Sequence, residues 1–586
     1  MRRFYRFANS KLKNKHGVGP LLREDGTLAV EDKEKAQILN DFFASVFTVD
    51  NGNMPDFPDR SDGSNIENVV FTQAKVHDSL KSLPNKLSRT PDGLPALLLK
   101  KLAFGLSEPL CSLFNVSFNS GELPKIWLTA EVTAVYKKGL ASNASNYRPV
   151  SLTCIACKVM ESIIKDKLIS HLVANDLLTE HQHGFLPKKS VSTQLLECFN
   201  YYSEAFMQKQ PVDVIFLYYC KAFDSISHQK LLVKLEGYGI RGRLLTWIRS
   251  FLSGRSQRVC VNGSFSDYAC VTSGVPQGSV LGPLAFLLYV NDVTDVIKNA
   301  KIKLFADDIK LYFALPQGIN SGAQLAEDLQ TVYLWSAEWQ LKLAIEKCVV
   351  LHLGHKNPKY DYYIRDDTKL QVAQEYRDLG VLVSSSEKFG YSVSSHCKLI
   401  SSKAMKIVGL IFKIFSTKSP ALLLKAYKTY VRPILESSAV AWSPFLLKDI
   451  ECIERVQRVF TRKLFFRCHW DYASYEERCK LLKINSLELR RSKFDLIMCY
   501  NIMKNRVGIR RDDFFTLSSY KKTKGHEMKL FRPHVRVEVR KHFFSSRVIQ
   551  LWNDLDERMA LLPTLSMFKQ YLSVTDAASG CKVYAF

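Results

Sequence analysis

Long hydrophobic runs are missing from this sequence, and acidic residues are scarce relative to basic ones. No apolar stretch approaches the ~18 residues that suggest a membrane-spanning helix. The opening residues, Met-Arg-Arg-Phe-Tyr, lack the apolar segment of a signal peptide. The 14 cysteines follow no regular spacing, so we expect reduced thiols rather than a disulfide framework. We therefore expect a protein of the nucleus and cytoplasm with no membrane partner.

The shortage of acids leaves a strong positive charge. The chain has 82 Lys and Arg against 57 Asp and Glu, a formal net charge of +25 over 586 residues. Because this excess is spread along the chain rather than confined to a tail, it favours a polyanionic partner, most simply nucleic acid. A generically soluble basic protein is the alternative. A hydrophobic content of 46% is enough for several domains with real cores.

Two adjacent acids stand between two apolar stretches. Residues 301–312 read Lys-Ile-Lys-Leu-Phe-Ala-Asp-Asp-Ile-Lys-Leu-Tyr, which predicts a β-hairpin with Asp307 and Asp308 at its turn. Carboxylates this close repel each other unless a cation lies between them. Mg²⁺ binds carboxylate oxygens together with substrate phosphates. The pattern favours a metal site for phosphoryl transfer, and an ordinary Asp-Asp turn is the alternative.

Basic and glycine-rich segments precede this hairpin. Residues 130–136 alternate as a strand, and a second strand after the turn would bring Lys137, Lys138 and Arg148 together. Such a hairpin could bind a triphosphate, although a solvated basic turn fits the local sequence as well. Residues 273–284 contain three glycines and two prolines ahead of an apolar helix. Glycines there would let a base or another chain approach the backbone closely.

Taken in order, these motifs resemble the reverse transcriptase of non-LTR (LINE-type) retrotransposons, most closely the jockey-like group. The resemblance covers about residues 4–572. No single motif is specific, but the ordered set is. Its members are residues 146–152, 184–185, 221–224, 273–279, 305–308, 335–339, 347–348, 378–381, 430–436, 442–444, 454–457 and 486–491.

The resemblance implies an α+β right-hand polymerase with a helical C-terminal extension. Residues 1–75 would be a linker, with one helix at 32–47 and a flexible loop at 50–63. The remaining parts would be fingers at 76–205, palm at 206–395 within a reverse transcriptase core of 120–385, thumb at 396–445 and a C-terminal helical region at 446–586. Family members carry an upstream endonuclease that this sequence does not resemble, so we do not expect independent target-primed insertion.

The resemblance also implies the site. RNA would be the template, DNA the primer, deoxynucleoside triphosphates the substrates and Mg²⁺ the cofactor, with Mn²⁺ as an alternative. Asp307 and Asp308 would be catalytic metal ligands, and the other implied positions contact the incoming nucleotide. Those positions are Phe223 as the gate against a ribose 2′-hydroxyl, Gln277 and Gly278 beside the nucleotide, Arg148 and Lys138 on the triphosphate, and Lys347 near the leaving pyrophosphate.

One position departs from the family pattern. The family has a third metal-ligand Asp in the strand before Lys221, where this chain has Tyr218. A neutral phenol, with a pKa of about 10, cannot replace a carboxylate on Mg²⁺. Asp213 and Asp224 lie five and six residues away, roughly 16–20 Å in an extended strand. We therefore expect impaired polymerase activity.

Three functions remain open at this stage. The first is an RNA-directed DNA polymerase by descent, and the second is a catalytically inactive nucleic-acid-binding remnant. Tyr218 is the feature that separates the two. The third is a group II intron maturase, which shares the polymerase core. The long C-terminal tract with Trp442, Pro444, Arg490 and Arg491 favours the retrotransposon family instead.

Overall fold

The computed structural model describes residues 17–88, 90–316, 321–365, 368–518 and 526–574. Helices and strands are mixed along the chain, as expected for an α+β polymerase. The strands are β1 Leu21–Leu22, β2 Leu28–Ala29, β3 Thr129–Tyr136, β4 Tyr147–Leu152, β5 Val212–Tyr218, β6 Arg255–Val261, β7 Ser264–Phe265, β8 Ala269–Val271, β9 Lys301–Phe305, β10 Asp308–Ala314, β11 Val349–Leu353, β12 Tyr363–Ile364, β13 Thr368–Lys369, β14 Gln371–Ala373, β15 Glu375–Asp378, β16 Val381–Ser386 and β17 Gly390–Ser392.

Helices lie along the whole of the described chain. The α-helices are Asp32–Ser45, Gln73–Ser82, Ala96–Lys101, Ala103–Ser120, Ile155–Ala174, Val191–Met207, Ala222–Ser225, His228–Gly237, Gly242–Leu252, Gly282–Val290, Ser321–Glu338, Ser394–Ile414, Pro420–Ala426, Arg432–Glu436, Ala439–Trp442, Leu447–Arg467, Tyr475–Leu481, Leu487–Met503, Glu538–Lys541, Phe544–Asn553, Glu557–Ala560 and Leu565–Val574. Short 3₁₀ turns lie at Lys125–Leu128, Ala144–Asn146, Asn291–Thr294, Ile345–Lys347 and Arg511–Asp513, and a π turn lies at Tyr427–Val431.

A five-stranded sheet in the order β14-β11-β5-β10-β9 forms the centre of the fold. Its middle strand, β5, is buried at every position except the half-buried Tyr218. A near-continuous apolar run of this kind is what a strand covered on both faces requires. Strands β10 and β11 flank β5 in antiparallel pairing, and β9 forms a hairpin with β10. The sheet therefore holds the chain segments with Tyr218 and Asp308 side by side.

The two faces of this sheet pack against different cores. Ile215 and Leu217 contribute to one core, which includes helices Ile155–Ala174 and Gly282–Val290. Val214 and Phe216 point to the other, which continues through the helices after residue 394 as far as Leu572. Because successive strand side chains alternate between faces, one strand can anchor both cores. The C-terminal helices thus share a core with the five-stranded central sheet.

A second sheet, β4-β3-β6-β7 with β8 paired to β6, lies under the N-terminal helix. The predicted helix at 32–47 is present as Asp32–Ser45, and its Ala36, Leu39 and Phe43 pack against this sheet. The prediction of antiparallel strands around the basic turn is also confirmed, since β3 pairs with β4 from Tyr136 to Glu131.

Residues 50–63 form a loop, as predicted, and one aromatic side chain of this loop packs against the rest of the chain. The segment has no helix or regular strand, yet the Phe57 ring packs edge-on against Tyr238 at 5.3 Å and Trp339 at 5.8 Å. Arg241 also pairs with Asp59 at 2.5 Å. Asn, Asp and Pro favour turns in sequence but say nothing about what a turn packs against. Residues 1–16 of the predicted linker lie outside the described residues. No helix among the described residues is long and apolar enough to cross a membrane.

Candidate active site

The acid pair lies in the predicted hairpin between β9 and β10. Phe305 and Asp308 close the ladder, leaving Ala306 and Asp307 as the two turn residues. Asp308 is the first residue of β10, so only one of the two acids is in the turn itself. Ala306 has φ of +54°, a left-handed conformation that two-residue hairpin turns need. Both carboxylates are half-buried at this end of the sheet.

Gln182 holds this turn from the side. Its Oε1 accepts hydrogen bonds from the backbone N–H of Ala306 at 2.9 Å and of Gly184 at 2.8 Å. The backbone N–H of His183 donates to Leu304 O at 2.8 Å, which docks the same loop against β9. A Cβ on Gly184 would come within 2.6 Å of Ala306 N, so the close approach requires glycine. The Gly184-Phe185 motif is therefore part of the scaffold for the acid pair.

Tyr218 faces the acid pair from the neighbouring strand. It is paired directly with Asp308 in the antiparallel register of β5 and β10, which puts the two side chains on one face. The Tyr218 hydroxyl hydrogen-bonds to the hydroxyl of Tyr376 in β15. The Tyr376 ring stacks on Phe216 with 3.9 Å between centroids. The phenol is thus fixed against the β15–β16 hairpin.

The electrostatics of the three groups disfavour charge. Burial raises the pKa of Asp308 to about 7, and the neighbouring Asp307 and Asp378 carboxyls add to the rise. Burial also raises the pKa of Asp307, against a lowering by Arg148 and Lys137. Burial raises the pKa of Tyr218 to about 12, so its phenol is neutral throughout the physiological range. A cation at the acid pair would relieve the repulsion, and Tyr218 offers it no charge.

The basic residues of the β3–β4 hairpin lie within electrostatic reach of the acid pair. Burial lowers the pKa of Lys137, with further lowering by Arg148, Lys138 and Lys347, and Asp307 raises it. Three predicted residues, Arg148, Lys138 and Lys347, therefore lie close enough to Lys137 for their charges to affect its pKa, as does Asp307. Lys347 reaches this region because Ala344 N donates to Tyr218 O at 2.7 Å, just before the Ile345–Lys347 turn.

The glycine-rich loop wraps the segment that follows β5. Val275 N donates to Phe223 O at 2.8 Å, and the Gln277 Nε2 donates to both oxygens of Asp224 at 2.8 Å. Gly278 has φ of +131°, and a Cβ there would collide with Ser151 O of β4. The loop therefore ties the ends of β4 and β5 together and places Gln277 beside Asp224.

The Phe223 ring is held firmly in this arrangement. It stacks on Phe286 at 4.5 Å and meets Phe185 edge-on at 6.4 Å. Phe185 itself is 61% exposed and has φ of +56°. A half-buried ring with two aromatic neighbours has little freedom to move aside, which a steric gate needs.

The two acids closest to Tyr218 in sequence are engaged by other groups. Asp213 is at the opposite end of β5, fully buried, and accepts hydrogen bonds from His352, Asn357 and Tyr362. Asp224 is bound by Gln277, and burial raises its pKa to about 6. Both carboxyls are therefore committed to other partners, in line with the expectation from spacing.

These donors offer a divalent cation two carboxylates, with no third carboxylate directly opposite Asp308. Asp307 and Asp308 supply carboxylates of the kind that Mg²⁺ prefers. Within the described part of the chain, however, no cluster of three or more His, Cys, Asp or Glu side chains is arranged to hold a metal. The side chain opposite Asp308 is the neutral phenol of Tyr218. The further acid that lines the same cleft, Asp378, is paired with Lys310.

Sequence reasoning named Lys137 in the basic turn but did not include it among the residues that contact the nucleotide. It missed two further residues that shape this site. Gln182 lies just before the Gly184-Phe185 motif. Its hydrogen bonds to Gly184 and Ala306 could not be predicted from the residues around it. Tyr376 is 158 residues from Tyr218, and nothing in the sequence indicated their contact.

Part of the chain matches a known protein family. Residues 135–411 match the reverse transcriptase (RNA-dependent DNA polymerase) family. This span includes β4 and the five-stranded central sheet, and it ends within helix Ser394–Ile414. It also contains every predicted site residue, from Lys138 to Lys347.

Three of the curated relatives come from mobile elements of Drosophila melanogaster. The chain is 26% identical over 350 residues to the RNA-directed DNA polymerase from mobile element jockey, covering 58% of this chain and 38% of that protein. It is 28% identical over 290 residues to the probable RNA-directed DNA polymerase from transposon BS, covering 47% and 31%. The transposon X-element polymerase is 26% identical over 367 residues, covering 61% and 40%. The matched region thus spans about a third of the length of these relatives.

Proposed function

We propose, for a chain whose residues 135–411 are a reverse transcriptase domain homologous to those of non-LTR retrotransposons, that its palm is an RNA-directed DNA polymerase site with one metal ligand lost. The observation that carries this proposal is the pairing of Tyr218 with Asp308. A phenol occupies the position that would complete the proposed carboxylate set.

The proposed reaction is addition of a deoxynucleotide to a DNA primer on an RNA template. The primer 3′-hydroxyl attacks the α-phosphate of the incoming nucleotide, and pyrophosphate leaves. Mg²⁺ or Mn²⁺, when bound, would supply Lewis acidity and neutralise charge on the phosphates. Asp307 and Asp308 would hold the metal, and the absence of a third carboxylate would weaken its binding.

The chain's own residues would position the nucleotide. Arg148, with Lys137 and Lys138 beside it, would bind the triphosphate oxygens, because guanidinium groups pair well with phosphates. Lys347 lies in the same electrostatic field and would stabilise charge on the leaving pyrophosphate. These cations compensate the phosphates but cannot replace a metal ligand.

The sugar and base would meet the glycine-rich loop. Gln277 and Gly278 would contact the nucleotide through the loop, which is tied to β4 and Asp224. The Phe223 ring, fixed by Phe286, would exclude a ribose 2′-hydroxyl and so favour deoxynucleotides. Substrate selection would therefore survive the loss of the metal ligand.

A catalytically inactive nucleic-acid-binding protein is the second candidate function. The observation that favours it is again Tyr218, whose hydroxyl is bound to Tyr376 rather than free to move from the site. The net charge of +25 would retain affinity for nucleic acid without catalysis. The two candidates predict the same binding and differ in nucleotide addition.

Primer extension on a poly-rA template with labelled oligo(dT) distinguishes them. The parent chain and its Tyr218→Asp variant are compared in Mg²⁺ and then in Mn²⁺. We expect extension from the variant at least about 100-fold above the parent, since a complete carboxylate set restores metal binding. The double variant Tyr218→Asp, Asp307→Ala is the control and should lose the gain while keeping RNA affinity. No gain on reversion would contradict the proposal that one ligand was lost from an otherwise intact site.

A further inference from the structure

Three exposed aromatic side chains of the C-terminal region lie together at the end of one basic helix. Phe466 is 84% exposed, Tyr472 is 96% exposed and Trp470 is 40% exposed. Phe466 is the penultimate residue of helix Leu447–Arg467, and the other two follow in the loop before Tyr475. Exposed rings this close together are unfavourable in water unless a partner covers them.

The outer face of the same helix is positively charged. Arg455, Arg462 and Phe466 are spaced by seven and four residues, so at 3.6 residues per turn they lie in one line along the helix. Arg455 and Arg462 are exposed, and neither forms a hydrogen bond or ion pair with the residues that the structure describes. Arg458 lies between them, with its guanidinium 5.3 Å above the Tyr475 ring. Glu451, one turn before Arg455, is an exposed acid at the N-terminal end of this face.

Contacts on the inner face fix the rotation of the helix. The buried Glu454 accepts hydrogen bonds from Tyr475 and from Leu487 N, the latter at 3.0 Å. The buried Gln457 accepts from Tyr427 at 3.0 Å and donates to Asn485 O at 2.9 Å. Because these two side chains must point inward, Arg455 and Arg462 are held outward.

Contacts along the helix also fix its ends and the aromatic loop. Arg467 donates to Phe412 O at 2.9 Å and Phe415 O at 2.8 Å, where helix Ser394–Ile414 ends. The Trp470 ring packs edge-on against Phe465 at 4.8 Å. The exposed rings therefore stand on a braced element rather than on a free end.

We propose that this surface, the arginine–aromatic stripe of Arg455, Arg462, Phe466, Trp470 and Tyr472, binds an unpaired RNA strand. The arginines would contact the backbone phosphates, and the rings would stack on bases, which only an unpaired strand exposes. The choice of RNA rests on the proposed function. The Tyr472 hydroxyl and the exposed His469 ring supply the polar groups that could contact a ribose 2′-hydroxyl. The stripe would hold template outside the palm.

The test is fluorescence anisotropy of the full chain with labelled oligo(rU), without nucleotide or primer, so that it does not depend on polymerase activity. The Phe466→Ala, Tyr472→Ala variant should lose about 10-fold or more in affinity, as expected for lost base stacking. The Arg455→Gln, Arg462→Gln variant should bind more weakly and lower the slope of log affinity against log salt by about 1.4. Trp470 is left in place because it packs on Phe465.

Matched controls remove an equally exposed ring and equal charge elsewhere. Phe104→Ala removes a ring that is 87% exposed, and Lys101→Gln with Lys167→Gln removes two exposed cations. We expect the ring control to change oligo(rU) affinity less than 2-fold, and the charge control less than the arginine variant. If the stripe variants bind like their controls, the surface is not the binding site. Equal parent affinity for oligo(dT) would overturn the assignment to RNA, and equal effects on an RNA duplex would overturn the assignment to unpaired strands.

Failure of this proposal can be told apart from failure of the proposed function. The palm variants Tyr218→Asp and Asp307→Ala leave the stripe untouched, and we expect them to bind oligo(rU) within 2-fold of the parent. Loss of binding through Asp307→Ala alone would place the RNA contact in the palm and contradict the stripe. Primer extension tests the palm independently.

Discussion

Tyr218 and Asp308 are cross-strand partners at the end of the central sheet, and the Tyr218 hydroxyl is hydrogen-bonded to that of Tyr376. The phenol therefore makes a structural contact of its own, in addition to occupying the position of the proposed metal ligand. Replacing it therefore changes two things at once, the charge available to a metal and the attachment of the β15–β16 hairpin.

The hydroxyl pair should contribute measurably to stability. Tyr218→Phe removes one hydroxyl and leaves that of Tyr376 without its partner, so we expect a loss of about 1 kcal/mol in the free energy of unfolding. Tyr376→Phe should cost a similar amount. The double variant should cost little more than either single one, because the two groups share one interaction. Urea denaturation measures all three, and additive losses would show that the hydroxyls act separately.

The acid pair should make stability depend on pH. The folded-state pKa of Asp308, about 7, lies above the ordinary value of 3.8, so its contribution is fully present below about pH 4 and is lost as pH rises through 7. Without divalent cations, Asp308→Asn should then be more stable than the parent at pH 8 by about 1–2 kcal/mol. Thermal unfolding between pH 5 and 8 measures the difference. Asp166→Asn, at an exposed position, is the control and should follow the parent.

The Gly278 backbone should tolerate no side chain. Gly278→Ala combines left-handed strain with a collision against Ser151 O, so we expect a loss of about 3 kcal/mol or more in unfolding free energy. Gly263→Ala is the matched control, because Gly263 has φ of +99° but open space around the added methyl. It should cost about 1–2 kcal/mol. Equal losses in urea denaturation would mean that the contact with β4 contributes nothing.

The Gln182 side chain should control the order of the acid turn. Gln182→Met leaves the backbone N–H groups of Gly184 and Ala306 without their acceptor, at a cost of about 2–4 kcal/mol. Hydrogen exchange at Ala306 should quicken markedly. Gln182→Glu keeps an acceptor oxygen and should protect Ala306 better than Met, most clearly at pH 5, where a buried carboxyl is neutral. Unchanged exchange in the Met variant would show that the hairpin holds its own turn.

Local elements of the site could be predicted because their signals are local. The hairpin of residues 301–312 and the strands around Lys137 show period-two alternation, which needs no distant partner. The resemblance to a known family implied that residue 218 belongs with the acid pair, but the pairing of β5 with β10 was not predicted. Periodicity defines a strand but not its neighbour in a sheet.

The contacts that could not be predicted join residues far apart in sequence. Gln182 meets Ala306 across 124 residues, and Tyr218 meets Tyr376 across 158. Phe57 lies in a segment whose composition indicates only a turn, yet it packs against Tyr238 and Trp339. Each of these contacts depends on how folded helices, strands and loops pack against one another. The composition of either segment alone does not predict that packing.

The most direct test of the account is Mn²⁺ binding, followed by electron paramagnetic resonance as the free ion is taken up. Parent, Tyr218→Asp and Tyr218→Asn chains are titrated without nucleic acid or nucleotide. We predict at least 10-fold tighter binding to the Asp variant than to the parent, with no gain for the Asn variant, because only the carboxylate adds charge. Equal affinity of parent and Tyr218→Asp for Mn²⁺ would contradict the claim that Tyr218 leaves the site one ligand short.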